Sequence, residues 1–107
     1  MAESMGYRSM VMRRFAESRP CTIGLHPHCT GGGETSVMCH LPSVGKGMGF
    51  KSPDWWAVIG CWTCHDLLDG RKRAEDVTKE DLQKAQLRAL YHTLSMLIDE
   101  GLVQLPR

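Results

Sequence analysis

A small α+β domain is the fold class this sequence predicts, and three observations predict it. One cysteine pair lies in a stretch rich in Pro, Gly and His, and a second pair is spaced C-x2-C. Two short β-prone runs follow one another across a glycine-rich loop, and a long amphipathic segment lies near the end of the chain. With 107 residues, 42% of them apolar, there is room for one compact domain and little else. Only two Phe and two Tyr accompany the three Trp, so the core is modest, and a core of that size needs a covalent or metal staple.

The first strand is expected over Thr35–His40, with Thr35, Val37 and Cys39 on one face and Ser36, Met38 and His40 on the other. Leu41 to Pro53 reads as a long loop around Gly45-Lys46-Gly47-Met48-Gly49. The second strand is expected over Trp55–Gly60, aromatic and β-branched. A short helix should follow from Cys64 to about Gly70, where glycine suits a helix end. Thr78 and Asp81 form a variant capping box, opening a helix over about 79–100. On it Leu87, Leu90, Leu94, Leu97 and Ile98 make an apolar stripe, widened by Leu82, Ala85, Ala89 and Met96, with Lys84, Arg88, Ser95 and Asp99 opposite. Such a stripe belongs against a core or, alternatively, at a dimer seam. Residues 1–20 read as a frayed or helical arm without a cap or period to bound it, and 21–107 as the single domain, its strand–strand–helix core at about 35–70.

Composition excludes several classes. The first 20 residues carry Arg8, Arg13, Arg14 and Arg19 and contain no apolar run of roughly 7–15 residues, so neither a secretory signal nor a membrane span is expected, and a reducing cytoplasm is the default compartment. There, five cysteines read as metal ligands rather than as a disulfide framework. The formal net charge is +1, but residues 1–73 hold nine Lys/Arg against six Asp/Glu (+3) and residues 74–107 four against six (−2). Arg8, Arg13, Arg14, Arg19, Lys46, Lys51 and the run Arg71-Lys72-Arg73 could meet phosphates if folding gathers them, or simply form a solvated surface. A nucleotide-binding loop is excluded, because Phe50 rather than Gly precedes Lys51-Ser52.

Cys21 and Cys29, spaced C-x7-C, with Cys61 and Cys64, spaced C-x2-C, can close a tetrahedral zinc shell. His26 or His28 could replace one sulfur. Four thiolates leave such a site with about two negative charges, suited to a structural ion and not to phosphate chemistry. Cys61-Trp62-Thr63-Cys64-His65 also matches covalent haem attachment, but that requires export and leaves Cys21 and Cys29 unexplained. A thioredoxin-like redox pair lacks its βαβ surroundings.

His65 falls on the short helix with Asp69 four residues on and therefore on the same face. An imidazole and a carboxylate so placed can hold a second, divalent ion with open positions for water and substrate, or His65 can simply support the zinc shell. Asp66 is turned away and reads as a partner of the helix dipole. His40 ends the first strand, where an imidazole can take a proton from water or serve the fold.

The order strand with His40, loop, strand, C-x2-C, His65, x3, Asp69 resembles the HNH, or ββα-metal, endonucleases, and most closely the small phage and prophage nucleases of YbcO type. The stretches that carry it lie in roughly residues 20–73: Cys21-Thr22-Ile23 to Cys29, Glu34-Thr35-Ser36-Val37 to His40, and Pro53-Asp54 through Cys61-Trp62-Thr63-Cys64-His65-Asp66 to Asp69. The resemblance implies a zinc-stapled ββα-metal core in which His40 is the general base and His65 holds the catalytic ion. Where many members place an acidic or histidine ligand before the base, this chain has Cys39; where they place a middle asparagine, it has Trp56, with Asp54 as the candidate orienting group. The expectation is a metal-dependent endonuclease acting on DNA, with structural Zn2+ on Cys21, Cys29, Cys61 and Cys64, Mg2+ or another divalent ion on His65 and Asp69, and Arg71, Lys72 and Arg73 clamping phosphates. A non-catalytic zinc module that binds nucleic acid or protein is the alternative.

Overall fold

The computed structural model describes residues 6–42 and 52–106. Its elements are helix α1 (Met10–Arg14), a single 3-10 turn (Gly33–Thr35), strands β1 (Ser36–His40) and β2 (Ala57–Cys61), helix α2 (Trp62–Asp69) and helix α3 (Lys79–Asp99). β1 and β2 form a two-stranded antiparallel sheet that pairs Ser36 with Cys61 and His40 with Ala57. The fold is thus small α+β, with a two-stranded sheet and a long C-terminal helix. Among the described residues no helix is long and apolar enough to cross a membrane.

The second strand begins two residues later than its composition suggests. Pro53 and Asp54 start a turn in which the Trp56 amide donates to the Pro53 carbonyl, leaving Trp55 exposed. All five β2 residues are buried, and the strand's outer edge is satisfied by side chains and a loop. The Thr22 amide and hydroxyl donate to the Ile59 carbonyl, and the Ile59 amide donates to the Thr93 hydroxyl on α3. Gly60 is required by close approach, since a Cβ there would overlap Ile23 Cδ1 and meet Cys39 Sγ at 3.0 Å.

Helix α2 starts at Trp62 rather than Cys64, because the Cys61 sulfur accepts the Cys64 amide as an N-cap. It ends at Gly70 in the left-handed conformation. At the start of α3, Thr78 and Asp81 form the reciprocal capping box. The face of α3 that packs is only part of the expected stripe, with Leu97 buried and Leu82 and Leu90 against the core. Ala85, Ala89, Thr93 and Leu97 are buried, whereas Leu87 and Leu94 are exposed together with Tyr91. Small residues let the helix come close enough to β2 for the Thr93–Ile59 hydrogen bond, which a row of leucines would prevent.

The N-terminal stretch is built into the core. Ser9 caps α1 by accepting the Met12 amide, and Met12, Phe15 and Ala16 pack with Ile59 and Leu97. The larger cluster gathers Ile23, Leu25, Leu41, Val58 and Leu67 with Ala85 and Ala89 around Cys61 and Cys64.

Candidate functional site

Cys21, Cys29, Cys61 and Cys64 come together, their four sulfurs all within 4.8 Å of one another. A tetrahedral shell with metal–sulfur bonds of about 2.3 Å spaces its sulfurs by roughly 3.8 Å, so the cluster fits a single ion. Backbone amides already point at the sulfurs: Leu25 to Cys64 at 3.4 Å, Thr30 to Cys61 at 3.5 Å and Gly31 to Cys29 at 3.3 Å. Such donors offset the negative charge of metal-bound thiolates. A hydrogen bond from the Cys64 thiol pulls Cys21 down to about 4, while that bond and burial push Cys64 up. Burial also raises Cys29. At Cys61 burial acts upward, but the Thr30 hydroxyl and the Cys64 and Thr30 amides prevail and lower it. Four thiols this close cannot all ionise by themselves; a divalent cation takes the place of the shared protons. Neither alternative histidine joins the cluster. His28 bonds Asp76 at 2.8 Å, and His26 lines a groove with Cys21, Arg88 and His92.

Cys39 lies apart from this group, fully buried, its thiol pushed up to about 12 by burial. It is a packing residue facing Gly60 and not a ligand.

A second constellation lies where β1 ends beside the last turn of α2. A groove of about 320 Å3 is lined by His40, Leu41, Pro42, Ser52, His65, Leu68 and Asp69. His65 Nε2 and Asp69 Oδ2 are 3.6 Å apart across one helical turn, a little wider than the roughly 3.0–3.4 Å between neighbouring donors on one ion at metal–ligand distances of about 2.1 Å. Arg71 Nε lies 3.2 Å from the same Asp69 oxygen. Lys72 and Arg73 line a neighbouring hollow with Ala74, Val77 and Lys79. Exposed Trp62 is three and seven residues before His65 and Asp69, hence on the same face of α2.

His40 does not stand alone. Its Nε2 is 2.8 Å from Asp54 Oδ1, and the other Asp54 oxygen accepts the Ser9 amide at 2.6 Å and Arg13 Nε at 3.0 Å. Burial pushes the Asp54 carboxyl up, but the Ser9 amide, the His40 imidazole and the Arg13 guanidinium overcome it and hold the group below its ordinary value. An ionised carboxylate only accepts, so Nε2 carries the imidazole proton and the basic lone pair is on Nδ1. Ser9 and Arg13 are participants that sequence reasoning missed. Their one available signal was a serine preceding a short apolar run, the N-cap that sets the register of α1.

Trp56 takes no part in the groove chemistry and instead ties the chain together, its indole N–H donating to the Pro42 carbonyl at 2.8 Å. With the Ser52 hydroxyl on the Leu41 carbonyl and Arg8 on the Ser52 carbonyl at 3.0 Å, it closes the base of the hairpin beside His40. The Gly45–Gly49 stretch, Lys46 and Lys51 lie outside the described residues. Of the other basic groups, Arg8 and Arg13 are committed to these internal contacts, and Arg19 to Glu100 at 2.9 Å.

Fold and site define a class: a small α+β domain with four cysteines placed so that they could hold a metal ion, and a separate groove lined by histidines and a carboxylate. Within that class the chain belongs to the family described as "Putative nuclease YbcO", which matches residues 10–102. It is 32% identical over 94 residues to the "Putative nuclease YbcO" of Escherichia coli K12, covering 87% of this chain and 96% of that one. A protein of the same description from Enterobacteria phage 82 matches to the same extent. A solved structure described as a "putative bacteriophage protein" from E. coli K-12 superposes with a TM-score of 0.69 at 28% identity, over 85% of this chain and all of that one.

Proposed function

We propose that this chain is a metal-dependent endonuclease of the HNH, ββα-metal, kind that hydrolyses phosphodiester bonds in DNA. One observation carries the proposal: the groove at the end of β1 holds a carboxylate-bound imidazole, His40, together with the His65–Asp69 pair. A nuclease needs a base for the attacking water and positive charge at the phosphate, and these are the two chemistries those residues offer. The nuclease descriptions of the relatives favour a nucleic-acid substrate.

In this scheme His40 accepts the proton of the attacking water at Nδ1, while Asp54 keeps Nε2 protonated and stabilises the imidazolium that forms. His65 and Asp69 would hold a divalent cation such as Mg2+, which would supply positive charge at the phosphate. Arg71, with Lys72 and Arg73 beyond it, contacts neighbouring phosphates. Trp62, exposed on the same face of α2, offers a surface for an unstacked base. Zn2+ on the four cysteines would act as a staple, since a four-sulfur set with two members buried and with backbone amide donors suits a structural ion.

Nicking of supercoiled plasmid by the zinc-loaded protein, with and without Mg2+, Mn2+ or Ni2+, tests this scheme. Cleavage that requires the added ion and is lost in His65→Ala and Asp69→Asn, with zinc retained, is the expected result. Absence of cleavage with every ion would leave the second reading, a zinc module that binds without cutting. One observation favours that second reading: among the described residues, the four cysteines are the only group of three or more ligating side chains brought within reach of one ion.

A further inference from the structure

Helix α3 is apolar on two faces. Ala85, Ala89, Thr93 and Leu97 face the core, and about 150° away around the helix, Leu87, Tyr91, Leu94 and Ile98 follow at spacings of four, three and four. Leu87 is 72% exposed, Tyr91 71% and Leu94 44%. A monomer gains nothing from such a second stripe, and a helix apolar on both sides ordinarily has neighbours on both.

We propose that this face binds a second copy of the chain, the two α3 helices crossing antiparallel about a two-fold axis near Tyr91. Charge and shape select a second copy over an unrelated partner. One flank of the stripe carries Lys84, exposed and paired on its own helix with Glu80 at 3.1 Å, toward the N-terminal end and exposed Asp99 toward the C-terminal end, while Arg88 between them is taken up by the Ile23 carbonyl. An antiparallel two-fold turns that flank onto itself, so Lys84 of each copy meets Asp99 of the other, twice, whereas a parallel pair would set Lys84 against the uncharged flank of Gln83 and Gln86. As to shape, a groove of about 580 Å3 lined by Ile98, Gly101, Val103, Gln104, Leu105 and Pro106 continues from the C-terminal end of the stripe. The same two-fold lays the protruding Leu87 of one copy over the Ile98–Leu105 groove of the other. Leu102 and Leu105, both exposed, extend the patch.

The stripe from Leu87 to Ile98 spans about 16 Å of helix at 1.5 Å per residue. Even with the groove this is at the small end for a protein dimer, where about 800 Å2 per partner is usual. A dimer that dissociates on dilution through the micromolar range follows.

Sedimentation velocity over a concentration series tests the proposal. Wild-type mass should move from 12.0 kDa towards twice that value as concentration rises. Leu87→Glu and Tyr91→Glu should remain monomeric with unchanged circular dichroism and melting temperature, because both side chains stand in solvent in the single chain. Lys84→Glu and Asp99→Lys should each raise the dissociation constant at least tenfold, and the double exchange should bring it back. A wild type that stays at 12.0 kDa to near-millimolar concentration, a dimer that survives Leu87→Glu, or a double exchange without recovery would each overturn it.

Discussion

Replacing Asp54 by asparagine removes one charge while keeping shape, and its effects follow from the hydrogen bonds. The carboxylate accepts from three donors, Ser9 N, Arg13 Nε and His40 Nε2, and its side chain is 1% exposed. Asparagine has one accepting oxygen and a donating NH2 group, so donor must face donor on one side. If the oxygen keeps Ser9 and Arg13, the NH2 group meets His40 and the imidazole proton moves to Nδ1, where it blocks the proposed base. An unsatisfied buried donor costs about 1–3 kcal/mol, at the lower end here because Arg13 and His40 are each about half in water. In a domain of this size that lowers the melting temperature by roughly 5–15 °C. Loss of the correct tautomer should cut nicking by about 10^2–10^4-fold. Thermal circular dichroism and plasmid nicking on the same preparation, below the melting transition, separate the two effects. Wild-type cleavage with an unchanged melting temperature would refute this reasoning, as would a loss of activity no greater than the unfolded fraction.

Other consequences concern acid, metal and packing. Because the Asp54 carboxyl sits below its ordinary 3.8, its contribution to stability is present above that pH and is lost as pH falls through the lower folded value. Acid unfolding followed by tryptophan fluorescence should steepen below about pH 4, and Asp54→Asn should flatten that limb. Cys61→Ser should lower metal content and destabilise the fold, whereas Cys39→Ala should lower the melting temperature with the metal-to-protein ratio unchanged, both read by elemental analysis beside thermal melts. Gly60→Ala should cost about 1–3 kcal/mol by overpacking, and Ile23→Val, which removes the overlapping Cδ1, should recover much of it in chemical denaturation.

The parts of this molecule legible in the sequence are those whose signal is local. Cys61 and Cys64 flank one turn at a strand–helix junction, Thr78 and Asp81 bond each other's backbone, and His65 and Asp69 are one helical turn apart, so spacing alone brings each pair together. The contacts around Asp54 are hidden in the sequence because they join α1 to the far side of the hairpin. Ser9 and Arg13 are 45 and 41 residues from Asp54 in the chain, and nothing periodic links them. The packing face of α3 is only partly legible, for a different reason: Ala85, Ala89 and Leu97 lie on the expected stripe and its margin, but Thr93 does not, and Leu87 and Leu94 face solvent. A stripe drawn by hydrophobicity favours leucines, but the buried side is set by how near the helix must come to β2, and Ala85, Ala89 and Thr93 permit the Thr93–Ile59 bond. At Trp55, β propensity points to a strand, and Pro53 and Asp54 override it by starting a turn.

The central claim is that His40 acts on a proton and not on the fold or on DNA affinity. The direct measurement sets cleavage against binding for His40→Ala, with plasmid nicking in the divalent ion that supports the wild type and DNA affinity measured in the same buffer. Unchanged affinity, an unchanged cysteine-bound metal and at least a roughly hundredfold loss of cleavage are expected. Cleavage at the wild-type rate, or a loss matched by equal loss of folding or binding, would contradict the claim.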